Sequence, residues 1–161
     1  MTQGDERLKH LAQVTANAIA QQYNRRYQSR IPVPVPLEFD LEHSRPKAAG
    51  RTVTGQTTTS KGGIAITGQK VQLNMTLYRD NEREFLNVII PHEMAHLKQE
   101  WEDVKNQAWS IAHGYVWQIA MREMSQVPKS THSMDTTKAI AAYKEHKAKA
   151  KQAKAKSKET A

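Results

Sequence analysis

Two histidines set four residues apart, His92 and His96 in "IIPHEMAHLKQEW" (residues 89–101), constrain this chain more than any other feature. On an α-helix, positions four apart differ by about 40° in direction, so both imidazoles leave the same face one turn apart and can grip one ion. The neighbouring Phe85, Leu86, Ile89, Ile90, Met94 and Leu97 form an apolar stripe, which predicts a helix buried on one side. Pro91 lies inside that pattern and predicts a kink, or a helix whose regular part begins near it. Glu93 is placed to reach a water on the metal rather than the metal itself. A zinc ion on neutral ligands lowers the pKa of such a water toward neutrality, and a nearby carboxylate takes the proton as the water attacks a carbonyl. These are the parts needed to hydrolyse an amide. The bland reading, two surface histidines on an amphipathic helix, is disfavoured by the aliphatic residues on both sides, which can wall a metal off from water.

The chain holds no cysteine, which excludes disulfides, cysteine-ligated zinc and a thiol nucleophile, and leaves His, Asp and Glu as metal ligands. A catalytic zinc needs a third protein ligand and an open position. Downstream candidates are His113, His132 and His146, with Glu100, Glu102, Asp103, Glu123 and Asp135. His113 stands out because it precedes Gly114 and enters the next predicted helix, so a helix-turn-helix can fold it back over His92 and His96. His146 lies in a lysine-rich tail, and His10 and His43 lie far upstream.

Length and order of segments suggest an α+β domain. At 161 residues and 18.3 kDa there is room for one core and an appendage. Leu8, Leu11, Val14, Ala18 and Ile19 recur at helical spacing, with Asp5 and Glu6 suited to a first turn. In "IPVPVPLEF" (residues 31–39) alternating prolines forbid a helix and restrict any strand to a sheet edge. Residues 50–74, rich in Thr, Val and Ile and punctuated by glycines, predict two or three short antiparallel strands. "NQAWSIAHGYVWQIAMREM" (residues 106–124) predicts another helix with Gly114 as its weak point. Nowhere is there an apolar run long enough to span a bilayer, nor a signal-peptide core, so the expected location is cytoplasmic, nucleoid-associated where DNA is bound, and nuclear in a eukaryote.

The net charge is +8, unevenly spread. Residues 136–161 carry eight lysines against two glutamates, a net +6 that leaves +2 for residues 1–135. This sets the expected domain boundary, 1–135 and 136–161. The tail is low in complexity and lacks an apolar face, so it is expected to be disordered or a transient helix. Such a tail can bind DNA nonspecifically through counterion release, or simply keep the chain in solution.

"VIIPHEMAHLKQEW" followed by "HGYVWQIAM" resembles the SprT-like metallopeptidase family, whose pattern is an aliphatic run, Pro, H-E-x-x-H, an insertion, then H-G-x-x-W/F. "KAAG", "VQLN" and "THSMD" resemble further family elements, so the likeness covers about residues 5–135. It implies a compact zincin-like domain, helices packed on a small antiparallel sheet. It also implies Zn2+ held by His92, His96 and His113, with Glu93 as general base. For relatives of the Spartan type it implies cleavage of proteins crosslinked to DNA. Many members continue into a cysteine zinc ribbon, which this cysteine-free chain lacks.

Other residues have two readings. His132 can polarise the scissile carbonyl as a second catalytic group, or serve as a structural hydrogen-bonding residue; Tyr115 has a similar claim. Trp101, Trp109 and Trp117 at helical positions read as core rather than as a stacking cleft. The strand at Val71–Asn74 can offer an edge to an extended peptide. The function expected is a zinc endopeptidase, a monomer acting on protein or peptide substrates associated with DNA. Its alternative is a non-catalytic zinc-containing DNA-binding or adaptor protein.

Overall fold

Thr2 opens the first helix by accepting the Asp5 amide on its side chain, and the helix α1 (Gln3–Tyr27) follows. The structure is a computed structural model describing residues 2–159. The buried face of α1 is Leu8, Ala12, Ala16, Ile19, Ala20 and Tyr23. Three alanines four residues apart leave no side-chain bulk, which lets the later helix that carries the histidine pair lie close against α1. Tyr23 reaches across to donate to the Ala120 carbonyl at 2.7 Å, and Tyr78 donates to the Leu8 carbonyl at 2.6 Å.

The proline-rich stretch after α1 has few free amides, so polar side chains of α1 satisfy it. Asn24 grips both the amide and the carbonyl of Ile31, while Asn17 and Gln13 take the amide and carbonyl of Val35. Only Leu37–Glu38 remains free to form a strand, β1, and it sits at a sheet edge as the prolines require. The strands β2 (Gly50–Thr58) and β3 (Ile64–Leu73) form an antiparallel hairpin with an irregularity at Gly55/Gln56. The order is β1-β3-β2, and β1 runs parallel to β3. The sheet is therefore mixed, not wholly antiparallel. Residues 71–73 lie in the central strand, paired to β2 with Val71 and Gln72 also paired to β1, so the edge expected there is already covered. The longer of the sheet's two outer edges belongs to β2, the other to the two-residue β1.

Asn74 caps α2 (Met75–Asp80) through the Leu77 amide, and the buried Glu42 carboxylate accepts from Met75 and Thr76 at the same end. A single turn, α3 (Glu82–Glu84), leads into a widened turn over Phe85–Ile89 and then α4 (Ile90–Asn106). In the widened turn the Ile90 amide reaches back five residues to the Phe85 carbonyl. Pro91, next in line, has no amide to continue the ladder, so the expected perturbation takes the form of one loose turn just before it. Met94, Ala95 and Leu97 of α4 are buried in the core with Phe85, Tyr78 and Leu73.

Helix α5 is shorter than its sequence pattern suggests. It spans Tyr115–Glu123, with Gly114 as its N-cap, and residues 107–114 form a loop. Trp117 of α5 is in the core and Trp101 is half-buried against it, but Trp109 on the loop is 42% exposed, contrary to the core reading. Lys98 is buried between Glu102 and Glu123 with its ammonium over the Tyr27 ring, which ties α4 to α1 and α5.

Residues Thr137–Glu159 are helical, α6. Ala139 belongs to the core, Lys138 pairs with Asp80, and His146 stacks on His43 at 4.2 Å between ring centroids. Packing thus continues past residue 135, while Lys144–Glu159 is exposed throughout. The charged repeat has no apolar stripe, but its first turn does, and that turn docks. Removing residues 144–161 should cost less than about 1 kcal/mol of stability, whereas Ala139→Asp, which buries an unpaired charge, should cost about 2–3 kcal/mol. Urea denaturation of the two variants measures both, and equal midpoints would contradict the docked turn.

Candidate metal centre

His92 and His96 leave α4 on the same face, with ring centroids 5.0 Å apart. His113 comes to them from the loop before α5, and its Nε2 lies 3.0 Å from the Nε2 of each. The backbone of His113 is left-handed (φ 59°), a conformation uncommon for a residue with a Cβ. A turn closed by the Gly114 amide on the Ile111 carbonyl holds it there, and Gln118 donates to the His113 carbonyl. Gly114 must be glycine, because a Cβ would lie 2.9 Å from the Ile111 carbonyl oxygen.

The outer nitrogens decide the protonation. His92 Nδ1 faces the Lys129 carbonyl at 3.2 Å, an acceptor only, so this nitrogen carries the proton. His96 Nδ1 faces Gln99 Oε1 at 3.2 Å, and the Gln99 amide nitrogen already donates elsewhere, so Nδ1 is again the donor. Both Nε2 lone pairs therefore point inward at the same atom. A single proton on His113 can bridge one contact but not both. This arrangement suits a cation: the three side chains can hold a metal ion, and their ligand atoms all lie within 4.8 Å of one another. Among the described residues, no other group of three or more His, Asp or Glu offers this.

Trp117 packs against all three rings, at centroid distances of 4.7–5.5 Å, and its indole N–H donates to the His92 carbonyl. This apolar backing desolvates the site. Burial, aided by the neighbouring imidazoles, pushes His92 down to about 4, and burial pushes His96 to about 4 also. His113 is lowered by burial. All three shifts favour the neutral, metal-binding form.

Glu93 is 6% exposed, and burial pushes its carboxyl up to about 8. Its Oε1 lies 3.9 Å from His92 Nε2. Gly50, the first residue of β2, makes the space: a Cβ there would come within 2.8 Å of Glu93 Cγ. The three histidines and Glu93 line an open cleft of about 940 Å³. One wall is the start of β2, another the loop at Trp109–His113, and a third the extended segment Lys129–His132.

His132 lines this cleft but does not join the cluster. Its Nδ1 accepts from the Met134 amide at 3.2 Å and its Nε2 donates to the Lys47 carbonyl at 2.8 Å, so both ring nitrogens are engaged by backbone. Tyr115 is 74% exposed and does not line the cleft. Sequence reasoning missed Gln99 and the Lys129 carbonyl. Gln99 carries a signal, since it lies three residues beyond His96 on the same helix face. A backbone carbonyl 37 residues away carries none.

A model of the SprT-like family matches residues 16–150. The SprT protein of Glaesserella parasuis is 33% identical over 100 residues, covering 60% of this chain and 58% of that protein. That of Vibrio atlanticus is 34% identical over 71 residues, 42% of this chain and 39% of the relative, and that of Actinobacillus succinogenes 33% over 92 residues, 55% and 51%. The chain spans about half the length of the curated relatives it matches. No solved structure matches it. No described helix is long and apolar enough to cross a membrane.

Because His92 and His96 titrate near 4, protons compete with a metal only well below neutrality. Zn2+ affinity, measured by chelator competition, should change by less than about threefold per ligand between pH 8 and 6 and fall as the pH approaches 4. A steep loss centred near 6.5 would show ordinary, exposed histidines.

Proposed function

The chain belongs to the SprT-like family, and we propose that it is a zinc-dependent endopeptidase acting on proteins associated with or crosslinked to DNA. The observation that carries this reading is the buried Glu93 carboxylate beside three converging imidazole nitrogens, at the floor of an open cleft. Held by His92, His96 and His113, zinc would supply Lewis acidity, raising the acidity of a water and polarising the substrate carbonyl. Glu93 takes the proton of the attacking water and passes it to the amide nitrogen as the C–N bond breaks. Its burial suits that exchange, because a desolvated carboxylate holds a proton more tightly than one in water. A structural metal site has no use for such a base.

The free edge of β2 borders the cleft at Gly50, Arg51 and Thr52, so an extended peptide can add there as a further strand and bring its carbonyl toward the cluster. His132 lines the cleft with both ring nitrogens engaged by backbone, so its part is to hold the Lys129–His132 wall against the Lys47 carbonyl rather than to donate to bound peptide. The DNA association rests on charge. The exposed lysines of α6 form a cationic arm that needs no sequence recognition to hold a phosphate backbone.

Zinc-loaded wild type and Glu93→Gln should be compared on a DNA-binding protein, with and without DNA. Glu93→Gln should retain its metal and lose about 10²–10⁴-fold in cleavage rate. Equal cleavage by both would remove Glu93 from the mechanism; no cleavage by either, with metal bound and the fold intact, would favour a binding or adaptor protein. Removal of residues 144–161 should weaken DNA binding and flatten its salt dependence, by about one unit of log–log slope for each phosphate the arm no longer neutralises. An unchanged slope in fluorescence anisotropy would assign the arm another role.

A further inference from the structure

Gln99 lies one turn beyond His96 on α4 and is 4% exposed, so its primary amide is removed from water and must be satisfied by protein. It makes three contacts. Its Oε1 accepts from His96 Nδ1 at 3.2 Å, and its Nε2 donates to Ser110 Oγ at 2.7 Å and to the Ile111 carbonyl at 3.0 Å. The Ile111 carbonyl also closes the turn that carries His113. Asp103, one turn further along the same helix face, anchors the same loop by accepting the Ser110 amide at 3.1 Å.

We propose that Gln99 is a positioning residue that couples two of the three histidines, orienting His96 through its oxygen and fixing the His113 turn through its nitrogen. The proposal rests on the metal reading of the site. The amide has a defined sense. Reversing it would set a donor against the His96 N–H and the oxygen against the Ile111 carbonyl, so one orientation alone satisfies both ends. That orientation keeps the proton on His96 Nδ1 and its Nε2 lone pair toward His113. The loop end matters because α4 does not itself carry His113. Residues 107–114 have no helix or strand ladder to hold them, and His113 sits in a left-handed conformation that the surrounding bonds must maintain.

His92 is held differently, by the Lys129 carbonyl and the Trp117 indole at the other side of the cluster. Loss of Gln99 should therefore leave His92 in place and loosen His96 and His113 together. Outer partners of metal-bound histidines typically affect affinity by about 10–100-fold.

The full chain should be compared as wild type, Gln99→Leu and Gln99→Glu, by Zn2+ competition with a chelator, the visible spectrum of the Co2+ form, and hydrogen exchange of the amides at 110–114. Gln99→Leu, similar in size and without polar atoms, should bind Zn2+ about 10–100-fold more weakly. It should alter the Co2+ spectrum and exchange faster at 110–114. Gln99→Glu retains an acceptor for His96 and loses the donors to the loop. Its affinity should fall between the other two, with loop exchange as fast as in Gln99→Leu. A merely structural residue would lower the denaturation midpoint and leave the cobalt spectrum and the affinity order unmoved.

A folded Gln99→Leu protein that binds Zn2+ within about twofold of wild type and shows the same Co2+ spectrum overturns the proposal. So does a Gln99→Glu protein no better than Gln99→Leu, since the His96 arm would then contribute nothing. If Gln99→Leu does not fold, Ser110→Ala removes a loop partner alone: faster exchange at 111–114 with weaker Zn2+ binding supports the coupling, and unchanged affinity overturns it. Wild type that takes up no Zn2+ overturns the metal reading itself, an outcome distinct from wild type and Gln99→Leu binding equally.

Discussion

Three imidazole nitrogens that converge on one point repel one another unless a cation or a shared proton lies between them, and much of this molecule serves to hold them there. Two are easy to place, because a helix sets residues four apart on one face. The third is expensive in conformational terms: His113 has a left-handed backbone and belongs to a loop. Gly114 admits the turn, Gln118 and Gln99 hold its carbonyls, and Trp117 presses against all three rings from α5. Further out, the alanines of α1 allow α4 to be buried on its other side, which gives the histidine pair a rigid base.

Burial of this cluster has opposite consequences for its acids and bases. Loss of water disfavours charge on the imidazoles and on Glu93 alike, so the histidines are held neutral while the carboxyl is held at an elevated proton affinity. Neutral imidazole is the form that ligates a metal, and Glu93 becomes a carboxylate of raised proton affinity once a cation in the cluster favours its ionised form. One physical term, desolvation, thus acts on both components, and a bound cation would complete the second by favouring the Glu93 carboxylate. The cleft remains open, with the start of β2 as one wall, so the site's polar groups are not wholly enclosed.

Local pattern made several elements readable. The stripe from Phe85 to Leu97 is a buried helix, the prolines of 31–36 precede an edge strand, and the two glycine-punctuated segments of 50–74 are a hairpin. The readings that went astray depend on what lies across space. Residues 106–124 have helical periodicity throughout, yet the loop at 107–114 departs from it because Gln99 and Asp103 capture its backbone. The strand at 71–73, expected to offer an edge, is central because β1 pairs with Val71 and Gln72 on the side away from β2. Trp109 has the bulk of a core residue and lines the cleft instead. The lysine-rich segment, by contrast, has no apolar face over most of its length and is exposed there as its composition implies, with only its start at Ala139 joining the core.

The sequence by itself determined the chemistry of the candidate centre: the residue types, the helix that pairs His92 with His96, and the carboxylate between them. Those follow from spacing along a single helix, where geometry is set by covalent connectivity. Tertiary structure alone decided the direction in which the lone pairs point, the depth at which Glu93 is buried, and which edge of the sheet faces the cleft. Each of these depends on partners distant in sequence, the Lys129 carbonyl for His92, Gly50 for Glu93 and β1 for β3, whose approach is specified only when the chain packs.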